Sequence, residues 1–135
     1  MRIAVAASLL VLTLVGCETV PAPPACPVGQ EPMRTAQLFF GQKTPGAPAV
    51  SDAQFRIFLD AEVRPRFPGG VTVLEGGDQW KGAENRLIRE ASKVVVLVLP
   101  KRDERRVLGE VRAAFIQRFN QDAVMLINPE TCVAL

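Results

Sequence analysis

The chain has no histidine and no tyrosine, and only one of its 135 residues is tryptophan. Without imidazole there is no Ser-His-Asp or Cys-His centre and no histidine-ligated haem or zinc, and without a phenol there is no tyrosine acid. Phosphate-cradling loops are missing as well. Neither a P-loop nor a GxGxxG after a strand occurs, and no close carboxylate pair suggests a glycosidase. An excess of one charge is also lacking: 16 Lys+Arg face 14 Asp+Glu. A near-neutral surface argues against a nucleic-acid partner, which requires a concentrated basic footprint. The densest basic group, Lys101, Arg102, Arg105 and Arg106, is interrupted by Asp103 and Glu104 and reads as a solvated helix face. No cofactor or metal is expected.

What is present begins at the N-terminus. Met1-Arg2 precedes an apolar run from Ile3 to Leu14, which is too short to span a bilayer comfortably and suits the h-region of a signal peptide. A buried core segment has similar composition, but the extreme N-terminal position and basic flank favour the signal. The next residues, Leu14-Val15-Gly16-Cys17, resemble a bacterial lipobox. The resemblance implies cleavage before Cys17, loss of residues 1–16 and acylation of Cys17. Each buried methylene of such a lipid contributes about 0.8 kcal/mol, so two or more chains anchor stably. Glu18, rather than Asp, follows the cysteine and resembles the pattern sent on to the outer membrane, which places the protein on that membrane's periplasmic face. The mature chain keeps 15 cations against 14 anions, because Arg2 leaves with the signal.

An odd cysteine count in an exported protein raises the question of a free thiol. The lipid takes Cys17, leaving Cys26 and Cys132 as a pair in an oxidising compartment, where disulfides persist. Two buried thiols or a metal site are the alternatives, and two thiolates without histidine make only half a tetrahedral zinc shell.

Residues 17–32, dense in proline, read as an extended tether, and residues 33–135 as one domain. Met33 to Gly41 is the first strand. Ser51 and Gln54 form a capping box, flanked by Val50 and Phe55 as a hydrophobic staple, so a helix starts there. Phe55, Phe58, Leu59 and Val63 form its apolar stripe, and Pro65 stops it after Arg64. Val71 to Glu75 is a second strand, with Gly76 and Gly77 permitting a bulge before Asp78, Gln79 and Trp80. Leu87 to Leu99 is a third strand and Ala123 to Ile127 a fourth. Between them lies a second helix, capped by Asp103 and ending near Asn120. The order β-α-β-β-α-β is that of an α+β ferredoxin-like sandwich, with two helices on one face of a four-stranded antiparallel sheet. In that topology the last strand lies antiparallel to the first, which brings Cys26 and Cys132 to the same end.

Val94 to Leu99 and Ala123 to Ile127 do not alternate, although a sheet with one face in water should. A second copy covering that face, giving a homodimer, is expected; the tether or C-terminal tail folding over it is the alternative.

The polar group that draws attention is on the second hairpin: Gln79, Trp80, Arg89, Glu90, Ser92 and Lys93, with Asp78 and Arg86 nearby. Trp80 offers a stacking face, with Arg89 or Lys93 expected to bind an anion from the same side and Glu90 and Ser92 on the opposite one. Alternatively, Trp80 packs in the core and the charges form cross-strand pairs. Taken together, Leu38-Phe39-Phe40-Gly41, Ser51-Asp52-Ala53, Pro65-Arg66-Phe67-Pro68, Thr72-Val73-Leu74, Gln79-Trp80, Arg89-Glu90, Ser92-Lys93-Val94 and Cys132-Val133 resemble the bacterial domain of unknown function 3574. That resemblance implies an exported or lipid-anchored protein and carries no reaction. The expected function is therefore a non-enzymatic envelope module that binds a protein or small ligand through its sheet or second hairpin. The alternative is an enzyme resembling the dimeric α/β-barrel monooxygenases and isomerases, which requires an apolar cavity between sheet and helices.

Overall fold

Alternation along the first strand sets the side on which the core forms. In β1 (Glu31–Gly41) Ala36, Leu38 and Phe40 are buried, while Thr35, Gln37 and Phe39 face the other way and stay partly exposed. The computed structural model describes residues 25–43, 48–99 and 104–134. Cys17, the leader, residues 17–24 of the tether and the expected cap Asp103 lie outside them.

After β1 come α1 (Asp52–Phe58), continued by a wider π turn over Leu59–Val63, then β2 (Val71–Lys81), β3 (Leu87–Val98), α2 (Glu104–Phe119), β4 (Met125–Ile127) and β5 (Glu130–Val133). The sheet order is β2-β3-β1-β4 with every pairing antiparallel, as a ferredoxin-like α+β sandwich requires. Three details depart from expectation. β2 and β3 pair without a break from Val71↔Leu97 to Lys81↔Leu87, so Gly76 and Gly77 form no bulge. The fourth strand begins at Met125 rather than Ala123. Beyond it, β5 pairs with the start of β1, from Glu31↔Val133 to Arg34↔Glu130, and draws two residues of the expected tether into the sheet. Glu130-Thr131-Cys132-Val133 has no apolar alternation to announce a strand; the Pro129 carbonyl, which accepts from the Thr35 amide, bridges the two short strands.

At α1 the expected capping box is present. The Gln54 amide donates to Ser51 Oγ and the Ser51 amide to Gln54 Oε1, with Val50 and Phe55 buried on either side. Pro65 has no amide to give the Ala61 carbonyl, and the last turn widens so that the Arg64 amide reaches the Leu59 carbonyl at 2.9 Å. Both Leu59 and Val63 remain buried.

Both helices lie against the same side of the sheet. Phe40 of β1 meets Phe55, Phe58 and Phe115 with ring centroids 5.5, 5.7 and 4.6 Å apart, all edge-on. Val95 and Leu97 of β3 and Leu108 and Val111 of α2 complete the layer. Each such side chain contributes roughly 1.5–3 kcal/mol by burial, and edge-on aromatic pairs add about 0.5–1.5 kcal/mol.

The chain ends are stapled at one edge of this layer. Cys26 and Cys132 are disulfide-bonded, with Cα atoms 5.5 Å apart and a sequence separation of 106. A loop of that length loses about 5 kcal/mol of unfolded-state entropy on closure. Replacing both cysteines by serine should therefore lower the unfolding free energy by an amount of that order in urea titrations. An unchanged midpoint, or two free thiols in the intact mass of the protein purified under non-reducing conditions, would contradict the bridge.

Candidate functional site

The pairing of β1 with β3 ends at Gly41↔Ser92, but β2 and β3 stay paired to Lys81↔Leu87. The outer part of the hairpin, from Gly77↔Ala91 onward, is therefore an arm that projects past the rest of the sheet. Register decides what each side of the arm carries. Trp80 lies opposite Ile88, and Asp78 lies opposite Glu90. These four share the side of the sheet away from the helices, continuous with Phe39 of β1 and Met125 of β4. Gln79, Arg89 and Lys93 are on the other side.

This corrects the expected arrangement. Arg89 and Lys93 do not share a face with Trp80; Glu90 and Ser92 do, because a strand alternates and the unbroken register sets Trp80 in line with even-numbered residues of β3. Nor is Trp80 in the core, being 43% exposed. Lys93 is buried on the helix side, where Nζ bonds Asp52 Oδ1 at 2.7 Å and both Glu75 oxygens at 2.6 and 2.8 Å. It fastens the start of α1 to the sheet, in the cross-strand pairing that was the alternative for these charges. Gln79 and Arg89 bond each other, Arg89 Nε donating to Gln79 Oε1 at 3.4 Å.

Between arm and sheet lies a depression of about 860 Å³. Its apolar wall is Phe39, Trp80, Ile88 and Met125, and a third wall comes from Gln121, Asp122 and Ala123 after α2. Asn120 builds that wall. It ends α2 at φ 51°, in the left-handed region that asparagine tolerates, and the Gln121 amide returns to the Ile116 carbonyl at 3.1 Å in a Schellman closure.

Two carboxylates are held in place beside Trp80. Ser92, wholly buried, donates from Oγ to Asp78 Oδ1 at 3.0 Å. The Lys43 amide donates to Glu90 Oε1 at 2.6 Å. Both depend on glycine. A methyl on Gly76 would sit 2.6 Å from Ser92 Oγ, and one on Gly41 would sit 2.8 Å from Glu90 Oε1. Like charges directly opposite on neighbouring strands are destabilising, so this pair is held against a cost. Over the whole depression, Asp78, Glu90 and Asp122 face Lys43 and Arg89, an acidic balance. Among the described residues no group of three or more His, Cys, Asp or Glu is placed to hold a metal ion. The space between sheet and helices, where a barrel-type enzyme would need its cavity, is filled by the Phe40, Phe55, Phe58 and Phe115 rings.

The chain belongs to the family described as protein of unknown function (DUF3574), whose model matches residues 35–135. No curated protein matches it in sequence. Among solved structures it is similar to a phage SAM lyase in complex with S-methyl-5'-thioadenosine, with a TM-score of 0.58 at 12% identity, covering 85% of this chain and 97% of that one. The same kind of enzyme in its apo state gives a TM-score of 0.56 at 14% identity, covering 84% and 97%. At these identities the likeness is one of fold.

The Lys93 cluster makes stability depend on pH at both ends of the scale. Its hydrogen bond to Lys93 holds the Asp52 carboxyl below its ordinary 3.8, and hydrogen bonds to Asp52 and Glu75 raise Lys93 above its ordinary 10.5. The Asp52 contribution is present above pH 3.8 and is lost as pH falls through the lowered value. That of Lys93 is present below pH 10.5 and is lost as pH rises through the raised one. Lys93→Met should lower the urea midpoint between these limits, and the gap to wild type should narrow beyond each. A gap that does not vary with pH would contradict the assignment.

Proposed function

We propose that this protein is a lipid-anchored envelope module that takes up a small organic cation carrying a flat ring, in the depression beneath the arm formed by β2 and β3. The observation that carries the reading is the meeting of Trp80 with Asp78 and Glu90 on one face of that arm. A tryptophan face attracts a cation by about 0.5–2 kcal/mol, and carboxylates already fixed by Ser92 Oγ and the Lys43 amide need little reorganisation to accept one. Phe39, Ile88 and Met125 supply the apolar surface for the rest of the ligand.

The anchor rests on Leu14-Val15-Gly16-Cys17, and the Cys26–Cys132 bridge suits an oxidising, exported setting. Among the described residues no helix is long and apolar enough to cross a membrane. The tether enters at the start of β1, and the depression opens at its other end, about 33 Å away at roughly 3.3 Å per residue. A lipid on Cys17 thus leaves the site turned from the bilayer, facing solutes of the outer periplasm.

An enzymatic reading is favoured by one observation, the fold likeness to an enzyme named for its action on SAM. S-adenosylmethionine is itself a sulfonium cation with a flat ring, the chemistry the depression suits. Calorimetric titration separates the cases. S-adenosylmethionine should bind more tightly than the neutral S-methyl-5'-thioadenosine, and Asp78→Asn or Glu90→Gln should weaken it on the order of tenfold, the loss of one charge-assisted contact. Equal binding of both compounds, or variants that bind like wild type, would contradict the cation reading. Release of S-methyl-5'-thioadenosine, detected by mass, would select the enzyme over the binding module.

A further inference from the structure

The face of the sheet away from the helices is laid out by register in rows. Met125, Phe39, Val94 and Leu74 lie side by side across all four strands, followed by Ile127, Gln37, Val96 and Thr72, and then Thr35 and Val98. None of these residues is charged. Ten large apolar side chains are exposed among the described residues, and six of them belong to this face: Leu74, Trp80, Ile88, Val98, Met125 and Ile127. Met125 is 53%, Leu74 51% and Ile127 45% exposed, although their positions are those of a buried layer. The ion pairs, by contrast, gather on the helix side and at the edges, as in Arg34–Glu104, Lys93–Glu75 and Arg66–Glu110.

We propose that this face is covered by the same face of a second copy, about a two-fold axis lying between the two sheets and running across the strands. At about 4.8 Å between strands and about 3.3 Å per residue, Thr72 to Trp80 of β2, Ile88 to Val98 of β3, Thr35 to Gly41 of β1 and the three residues of β4 outline roughly 480 Å² in projection. The accessible area exceeds the projection and so reaches the ~600 Å² per partner at which specific interfaces begin. The occupant has to be apolar and uncharged. The other exposed large apolar residues among those described, Val28, Ile57, Val73 and Leu87, are divided among the turn before β1, α1, β2 and β3, so the surface that complements this face is the face itself.

Charge selects the axis. An axis along the strands would bring both arms to the same end of the pair and gather the Asp78 and Glu90 carboxylates of the two copies there. An axis across the strands lays each arm over the opposite, uncharged end of its partner. Val98 and Ile127 of the second copy then roof the depression beside Trp80, and the site is incomplete in a single chain. The roofing rests on the ligand reading above; the pairing rests on the apolar rows alone.

Trp80 is the chain's one tryptophan, so its emission reports coverage of this face directly. The mature protein, extracted in mild detergent, is examined by sedimentation velocity and by acrylamide quenching at micromolar concentration. Leu74→Glu and Ile127→Glu serve as face variants, and Ile57→Glu, on α1, as a control of equal charge and exposure. Wild type and Ile57→Glu should sediment as two copies, with Trp80 quenched several-fold less than in the face variants, which should sediment as one copy that still unfolds in a single cooperative transition. A single copy for wild type, a species of three copies, or face variants as associated and as shielded as wild type would overturn the proposal. If the copies pair while the calorimetric titration finds no binding, the ligand reading falls and the pairing stands.

Discussion

The register between β2 and β3 governs the site. With Gly76 opposite Ser92, every even-numbered residue of the arm faces away from the helices, and Trp80, Ile88, Asp78 and Glu90 meet there. A slip of β3 by one residue would exchange Ile88 and Glu90 for Leu87 and Arg89 on that face and bring a cation beside the tryptophan. Two features hold the register. Lys93, opposite Glu75 and bonded to Asp52, belongs on the buried side, and Ser92 fits only because Gly76 has no side chain to meet it.

Stability and function are thereby divided between the two sides of one sheet. The helix side holds the phenylalanine cluster and the Lys93 ion pairs; the other side holds an apolar surface and a fixed pair of carboxylates. Along the strands the division is equally plain. The disulfide and the tether sit at the start of β1, where β5 pairs with it, and the arm and depression sit at its end.

Much of this was legible in the residues. The Ser51–Gln54 capping box, the Asn120 helix end and the β-α-β-β-α-β order each rest on local chemistry that the fold leaves unchanged, and the order in turn predicts that Cys26 and Cys132 meet. The unalternating run from Val94 to Leu99 also announced a sheet whose outer face is apolar. What was not legible depended on register. The hairpin connection after Lys81 could place Trp80 in line with either set of β3 residues, and no turn motif such as Asn-Gly decided between them. Arg89 and Lys93 were therefore expected beside Trp80, where the structure puts Glu90 and Ser92. β5 was hidden for a different reason: Glu130 to Val133 pairs through its backbone with a strand start that reads as tether, and its side chains stay mostly exposed.

The central claim is that the face turned from the helices holds a small cation and is closed by a second copy. Native mass spectrometry of the protein purified from cells that make it, without added ligand, addresses both parts in one spectrum. The account predicts a species of twice the protomer mass that releases a low-mass organic cation on collisional activation. A single protomer with no small molecule bound would contradict it.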